Sequence, residues 1–63
     1  KTLLRLLRNE IYAQHGMIFK SNDLSTFFEN FKWYKAEVER VTNLNEIEVK
    51  NVRYLMDMER KTQ

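Results

Sequence analysis

The 63-residue sequence contains no cysteine and no proline, and it has only one glycine and one histidine. Without cysteine the chain cannot form a disulfide framework, and a single histidine without cysteine argues against a zinc site. The acidic spacing of a calcium loop is also missing, and no apolar run approaches the ~18 residues of a membrane span. We therefore expect no metal, no cofactor and no membrane insertion by this segment.

Composition indicates a folded domain, since 43% of the residues are hydrophobic and 32% are charged. A chain this short buries only about 60% of the surface that its unfolded form exposes. Large side chains must therefore build the core, and the sequence supplies four Phe, three Tyr and one Trp. We expect one domain over residues 1–63. Because the sequence begins at Lys1 without an initiator methionine, we expect this domain to be excised from a longer protein.

The net charge of +2 is unevenly distributed along the chain. Residues 1–20 carry four basic and one acidic side chain, residues 21–48 three basic and six acidic, and residues 49–63 four basic and two acidic. Helices of opposite charge would attract one another. The stripe of a single sign that is typical of nucleic-acid binding is missing, and no nucleic-acid partner is expected.

The first predicted helix runs from Thr2 to His15. Its apolar stripe has the helical period and consists of Leu3, Leu4, Leu7 and Ile11. Gly16 follows directly, and glycine readily adopts the left-handed conformation that ends a helix. Residues 17–19 should then form an extended connector that packs inward.

A second helix is predicted over residues 22–32, with Ser21 as its N-cap. Its apolar stripe is Leu24, Phe27, Phe28 and Phe31. Trp33 is expected in the core after this helix ends. The less favoured alternative is that Trp33 and Tyr34 form a stacking platform for sugars or bases, and the position of Tyr34 is left open. In residues 35–42, Val38 and Val41 either extend a helical face or anchor a loop.

Asn43 and Glu46 have the spacing of a capping box, which predicts a third helix ending near Arg60. Its predicted core face is Leu44, Ile47, Tyr54, Leu55 and Met58. The expected fold is an all-α bundle of three principal helices with short connectors. The third helix should pack across the first two.

Two features of the third helix are unusual. Asn51 falls within the predicted apolar face, where an amide must be hydrogen-bonded, and we expect it to bond backbone near Gly16 or, less favoured, to face a ligand. Val49, Val52 and Met56 fall on the opposite side. They are either scattered exposed apolar residues or a contact surface for a protein partner or a second copy.

A possible ligand site follows one edge of the first helix. Arg8, Tyr12 and His15 share a flank beside the apolar stripe, and Tyr34 is a candidate neighbour. Such an edge suits an anionic or hydroxylated ligand, because arginine offers a planar fork of donors and tyrosine joins an apolar face to a hydroxyl. Each residue also has a structural explanation: helix capping by His15, ion pairing by Arg8, and core packing by Tyr12.

No catalytic residue is assigned. A general base needs a nucleophile or a second proton carrier within reach, and the sequence has no serine–histidine–acid arrangement. An enzyme is therefore the less favoured alternative. It would be a hydrolase that uses His15 as base, with Glu10 or Glu48 beside it.

The chain resembles the YARHG domain family through Tyr12-Ala13-Gln14-His15-Gly16. The resemblance extends over the run from residue 7 to 19, the Trp33-Tyr34 pair and the late pattern of Leu44, Glu48 and Asn51. The family pattern is carried by Arg8, Asn9, Glu10, Tyr12, His15, Gly16, Trp33, Tyr34 and Asn51. One departure is Gln14, where the signature has arginine. If that arginine contributes charge to a ligand site, an anionic ligand is less expected here; if it is only a surface residue of the helix, nothing follows.

The resemblance implies an extracellular domain of bacterial cell-envelope proteins. It also suggests association with the cell wall. Our first hypothesis is a non-catalytic binding module that contacts cell-wall polymer or another envelope protein, because Arg8, Tyr12 and His15 share a flank beside the core stripe. A purely structural assembly or spacer domain is a further alternative. Four residues of the family pattern are assigned a structural role: Asn9, Glu10, Gly16 and Asn51. We expect the domain to be a monomer or a weak dimer.

Overall fold

A computed structural model describes residues 2–61 as three helices, with a short connector over residues 15–21 and a longer one over residues 30–45. Helix α1 spans Thr2–Gln14, α2 spans Asn22–Glu29 and α3 spans Glu46–Lys61. The described residues contain no named strand, and an isolated parallel bridge joins Met17 to Val38. The all-α prediction is confirmed. Lys1, Thr62 and Gln63 lie outside the described residues.

The hydrophobic core lies between α1, α2 and the connector that follows α1. Its buried members are Ala13, Phe19, Leu24 and Phe28, and Leu6, Tyr12, Met17 and Tyr34 pack around them. Phe28 is completely buried and stacks on Phe19, with ring centroids 5.0 Å apart. The connector over residues 17–19 therefore delivers a core side chain, as the sequence predicted.

Helix α1 is the central element, because it packs against α2 on one side and α3 on another. Within residues 2–61, α3 packs on α1 and not on α2. The prediction that α3 crosses both helices was wrong. Since α1 buries two faces, its centre of burial falls at Asn9 and Ala13, and its predicted stripe leaves Leu3 and Leu7 exposed.

Helix α3 begins two residues later than predicted. A capping box does start it, but the pair is Asn45 and Glu48: the Glu48 amide donates to Asn45 Oδ1 at 2.8 Å, and the Asn45 amide donates to Glu48 Oε1 at 3.0 Å. Helix α2 is likewise shorter than predicted and ends at Glu29, with Asn30 as its C-cap. Ser21 is its N-cap, as predicted, although its side chain makes no capping hydrogen bond.

The predicted core face of α3 was wrong in part: Leu55 and Met58 are half-buried, but the helix is rotated about its axis. Val52 is the buried residue of α3, while Ile47 and Tyr54 are 70% and 64% exposed. Two contacts with α1 set this rotation: Arg8 binds Glu59 and His15 binds Glu48. Both glutamates therefore turn toward α1, and the most apolar stripe of α3 turns away.

The segment over residues 35–42 is a loop held by backbone hydrogen bonds. The carbonyl of Gly16 accepts from the amides of Glu37 at 2.8 Å and Val38 at 3.0 Å, and the Ile18 amide donates to the Val38 carbonyl at 2.7 Å. Of the two predicted alternatives, the anchored loop is the one observed.

Candidate functional site

The signature run ends α1 in a tight backbone turn. Gly16 has φ of +82°, its amide donates to the Ala13 carbonyl at 2.9 Å, and the Met17 amide donates to the Tyr12 carbonyl at 3.2 Å. These bonds satisfy carbonyls that a helix end leaves free. A Cβ on Gly16 would lie 3.0 Å from the Lys35 carbonyl oxygen. Glycine is therefore required both for its conformation and for the close approach of the 35–42 loop.

His15 points at α3, where its Nε2 lies 2.8 and 3.0 Å from the two carboxylate oxygens of Glu48. The same carboxylate accepts from the Asn45 amide at the start of α3. These contacts hold the pKa of Glu48 below its ordinary value, the backbone hydrogen bond from Asn45 first and the contact with His15 second. The histidine side chain thus joins the end of α1 to the capping box of α3.

Arg8, two turns earlier, binds the other half of α3. Its Nε donates to Glu59 Oε1 at 2.9 Å and its terminal nitrogen to Oε2 at 3.4 Å. Arg8 is the main cause of the lowered pKa of the Glu59 carboxyl. Both side chains are largely shielded from solvent. This fork fixes the rotation of α3 on α1 at a second point.

The two candidate tyrosines belong to the core. Tyr12 packs against the buried cluster. The Tyr34 hydroxyl donates to the Met17 carbonyl at 2.6 Å, and its ring packs against Phe28. Burial, followed by the nearby charge of Glu29, raises the pKa of Tyr34. Tyr34 therefore secures the connector after α1.

The predicted ligand edge is thus turned inward. Arg8 and His15 do share a flank of α1, but each is bound to a different glutamate of α3. Tyr12 and Tyr34 lie in or against the core. Helical periodicity does not predict these pairs, because it places Glu48 and Glu59 among the solvent-facing acids. Only the hydrolase alternative placed Glu48 beside His15.

The structural polar residues behave differently from one another. Asn9 is buried, and its amide donates to the Arg5 carbonyl at 2.9 Å. Glu10 is exposed and accepts from Gln14 at 3.4 Å. The expectation that Asn51 is buried near Gly16 was wrong, since Asn51 is exposed on α3. The reason is the rotation of α3, which turns Ile47, Asn51 and Tyr54 outward.

The trio on α3 that the sequence placed at the surface is exposed only in part. Val52 is buried and Val49 is half-buried, whereas Met56 is exposed. Met56 lies in a cleft of about 410 Å³ between α1 and the end of α3. The other lining residues are Arg8, Arg53, Asp57, Glu59 and Arg60. The same rotation explains this correction, because the side predicted to be free packs on α1.

Three aromatic rings form an exposed row, in which the sequence predicted neither Phe27 nor Phe31. We call Phe27, Phe31 and Trp33 the aromatic patch. Phe31 lies 5.3 Å from Phe27 and 5.5 Å from Trp33 between ring centroids. Trp33 is 47% exposed, so its assignment to the core was wrong. Because α2 ends at Glu29, the chain turns before Trp33 and leaves this ring at the surface.

A groove lies between the outer sides of α1 and α3, with a volume of about 240 Å³. We call it the α1–α3 groove. It is lined by Leu7, Glu10, Ile11, Gln14, Asn51, Tyr54 and Leu55. Its lining is mainly apolar with polar side chains at the margin. Tyr54 and Leu55, which the sequence assigned to the core face of α3, line this groove.

The described part of the chain contains no candidate set of metal ligands. No group of three or more acidic or histidine side chains in residues 2–61 is arranged to hold an ion. Among the same residues, no helix combines the length and apolarity required to cross a bilayer.

These features define a small helical domain whose signature residues lie at the junction of α1, α3 and the connector. A family model confirms the class: residues 1–60 match the YARHG domain, and the chain belongs to the YARHG domain family. This family is regarded as a small extracellular type of module. Neither the curated protein sequences nor the solved structures contain a match to the chain.

Proposed function

We propose that this domain is a non-catalytic binding module of a bacterial cell-envelope protein, and that it holds a saccharide chain of the cell wall on its aromatic patch. The observation that carries the proposal is the row of three exposed rings. Because the family is regarded as an extracellular type of module, membership supports a location at the cell envelope. In the same proposal, Arg8, Tyr12, His15 and Tyr34 serve the fold rather than the ligand.

The packing beneath the patch favours a preformed binding surface. Phe27 meets the buried Phe28 edge-on at 5.0 Å, and Trp33 meets it at 6.3 Å. Aromatic pairs in these geometries stabilise one another by about 0.5–1.5 kcal/mol beyond their buried area. The rings therefore need little ordering when a ligand arrives, which lowers the entropic cost of binding.

The chemistry of the patch favours a neutral sugar. A pyranose ring presents an apolar face of C–H groups that stacks on aromatic rings, while its hydroxyls point outward. Phe31 and Trp33 are stacked at an interplanar angle of 22°, and Phe27 meets Phe31 edge-on at 72°, so the free face of the stack is the surface offered to one sugar ring. Residues 22–35 carry two acidic and two basic side chains, so the segment offers no net charge to a polyanion.

The test uses soluble N-acetylglucosamine oligomers and the fluorescence of Trp33, which is the single tryptophan of the chain. We expect the emission to shift on titration. Phe31→Leu should raise Kd about tenfold, a loss of roughly 1.4 kcal/mol. Leu3→Gln, which changes an exposed apolar residue away from the patch, is the matched control and should bind normally. Unmoved Trp33 emission, or equal binding by both variants, would overturn the saccharide assignment.

One observation favours a second candidate function, a hydrolase that uses His15. The structure does bring Glu48 to His15, as such an enzyme would require. A carboxylate can orient a histidine base in this way. However, both oxygens of Glu48 approach the same Nε2, and the carboxylate also caps α3. Turnover of a peptidoglycan substrate that is lost in His15→Gln, with folding retained, would establish the enzyme instead.

A further inference from the structure

The adjacent residues Trp33 and Tyr34 differ sharply in their surroundings. Trp33 is 47% exposed and belongs to the aromatic patch, whereas Tyr34 is half-buried and packs on the core. Their two rings meet edge-on, with centroids 6.4 Å apart and an interplanar angle of 88°. A displacement of the Tyr34 ring therefore reaches Trp33 in two ways, through the backbone and through this ring contact.

Tyr34 is held at three points. Its ring lies 6.1 Å from Phe19 and 6.0 Å from Phe28 between centroids. Its amide donates to the Phe31 carbonyl at 3.2 Å. Its hydroxyl donates to the Met17 carbonyl at 2.6 Å, across 17 residues of sequence. The residue directly after Trp33 is thus fixed to the core, to the end of the α2 segment and to the connector after α1.

The signature turn holds the chain on the far side of the aromatic patch. Two consecutive carbonyls take part: that of Met17 accepts from the Tyr34 hydroxyl, and that of Gly16 accepts from the amides of Glu37 and Val38. Residues 34–38 are therefore tied to the end of α1 immediately after Trp33. Gly16 and Met17 act on the patch without contributing a side chain to it.

The exposed ring of Trp33 depends on such support for its orientation. Its stack on Phe31, at an interplanar angle of 22°, is the surface offered to a sugar ring. Only molecules in which this stack is formed bind at full strength, so the apparent affinity falls with the fraction that has lost it. A support that keeps the stack formed in the free protein also lowers the ordering cost of binding.

We propose that Tyr34 is a positioning residue for the aromatic patch. Its hydroxyl bond to the Met17 carbonyl holds Trp33 in the orientation that stacks on Phe31, and so raises the affinity for saccharide without touching the ligand. The effect on affinity rests on the proposed saccharide function, whereas the ordering of the Trp33 ring is a property of the free protein. The signature turn thereby acquires a role in binding through Tyr34.

The test is Tyr34→Phe, which keeps the ring and removes the hydroxyl. In the free protein, the time-resolved fluorescence anisotropy of Trp33 should decay faster in this variant than in the native chain. Loss of one hydrogen bond at this position should raise Kd for soluble N-acetylglucosamine oligomers about fivefold, measured by calorimetry. Tyr54→Phe makes the same change at a tyrosine that is 64% exposed on α3, and it should match the native chain in both measurements.

A second control separates positioning from a loss of stability. Asn45→Ala removes a capping contact at the start of α3, a helix that packs on α1 rather than on α2. It should lower Tm while Kd and the Trp33 anisotropy stay native, with folding at the assay temperature checked by circular dichroism.

Two failures can be told apart. If the native chain binds the oligomers and folded Tyr34→Phe keeps the native Kd or the native anisotropy, the positioning role is overturned and the saccharide function stands. If the native chain binds no oligomer, the saccharide function is overturned. In that case the anisotropy of Tyr34→Phe alone decides whether Tyr34 orders Trp33.

Discussion

At the scale of single residues, the signature side chains act as ties between elements. Gly16 allows α1 to end in a turn whose carbonyl accepts two amides of the 35–42 loop. His15 reaches the capping box of α3, and Tyr34 binds the connector. Their chemistry is therefore satisfied inside the molecule. The residue types of the signature are those found in many active sites, but in this fold they make structural contacts.

Gly16→Ala tests the requirement for glycine at the end of α1. The left-handed conformation costs a residue with a Cβ about 1–2 kcal/mol, and the Cβ would also lie 3.0 Å from the Lys35 carbonyl oxygen. We expect a loss of at least about 2 kcal/mol in the free energy of unfolding, measured by urea denaturation. Gly16→Asn should lose less, because asparagine tolerates this conformation better. An alanine variant as stable as the native chain would contradict this account.

At the scale of elements, the start of α3 depends on the capping box between Asn45 and Glu48. Asn45→Ala removes the side chain that accepts from the Glu48 amide. We expect a loss of about 1 kcal/mol, which lowers Tm by about 4–8 °C in a domain of this size. Asn43→Ala is the matched control, since Asn43 lies outside the helix, and it should change stability by less than about 0.5 kcal/mol. A larger loss for Asn43→Ala than for Asn45→Ala would instead indicate that Asn43 caps the helix, as the sequence predicted.

The elements show what the sequence could and could not predict. The three helices, the turn at Gly16 and the core position of Phe28 follow from local periodicity and backbone chemistry. The start of α3 did not, because Asn43 with Glu46 and Asn45 with Glu48 have the same spacing and overlap in one segment. Choosing between them requires His15, which lies more than thirty residues away in sequence and contacts Glu48.

The rotation of α3 was unpredictable for a related reason. Periodicity places the most apolar stripe toward the core, yet here two ionic contacts from α1 bind Glu48 and Glu59 and set a different rotation. The two candidate surfaces depend on features that periodicity does not predict. The aromatic patch depends on the early end of α2, and the α1–α3 groove depends on the rotation of α3 that turns Tyr54 outward.

At the scale of the whole molecule, ionised carboxylates connect regions distant in the chain. Asp23 binds Arg5 at 2.5 Å, Glu59 binds Arg8, and Glu48 binds His15. Hydrogen bonds from these partners, and from the backbone in the case of Glu48, hold the pKa of all three carboxyls below the ordinary range. The folded state therefore binds fewer protons than the unfolded state in acid.

We expect stability to be fully supported by these carboxylates above the ordinary pKa of Asp and Glu, and to fall as pH drops through the lower folded values. Glu48→Gln keeps a side chain that a capping box accepts but removes its titration. In thermal unfolding, this variant should be less stable than the native chain at neutral pH, and the two stabilities should converge in acid. Glu39→Gln, on the exposed loop, is the control and should follow the native profile. A constant offset for Glu48→Gln at every pH would contradict the titration.

The position of α1 between α2 and α3 divides the molecule into two cooperative units that share one helix. The aromatic cluster is enclosed by α1, α2 and the 17–38 segment, whereas α3 is attached along α1. We therefore expect transient detachment of α3 to require less free energy than global unfolding. In such an opened state Arg8 and His15 would separate from their glutamates, so their exposure to solvent would depend on how often α3 detaches.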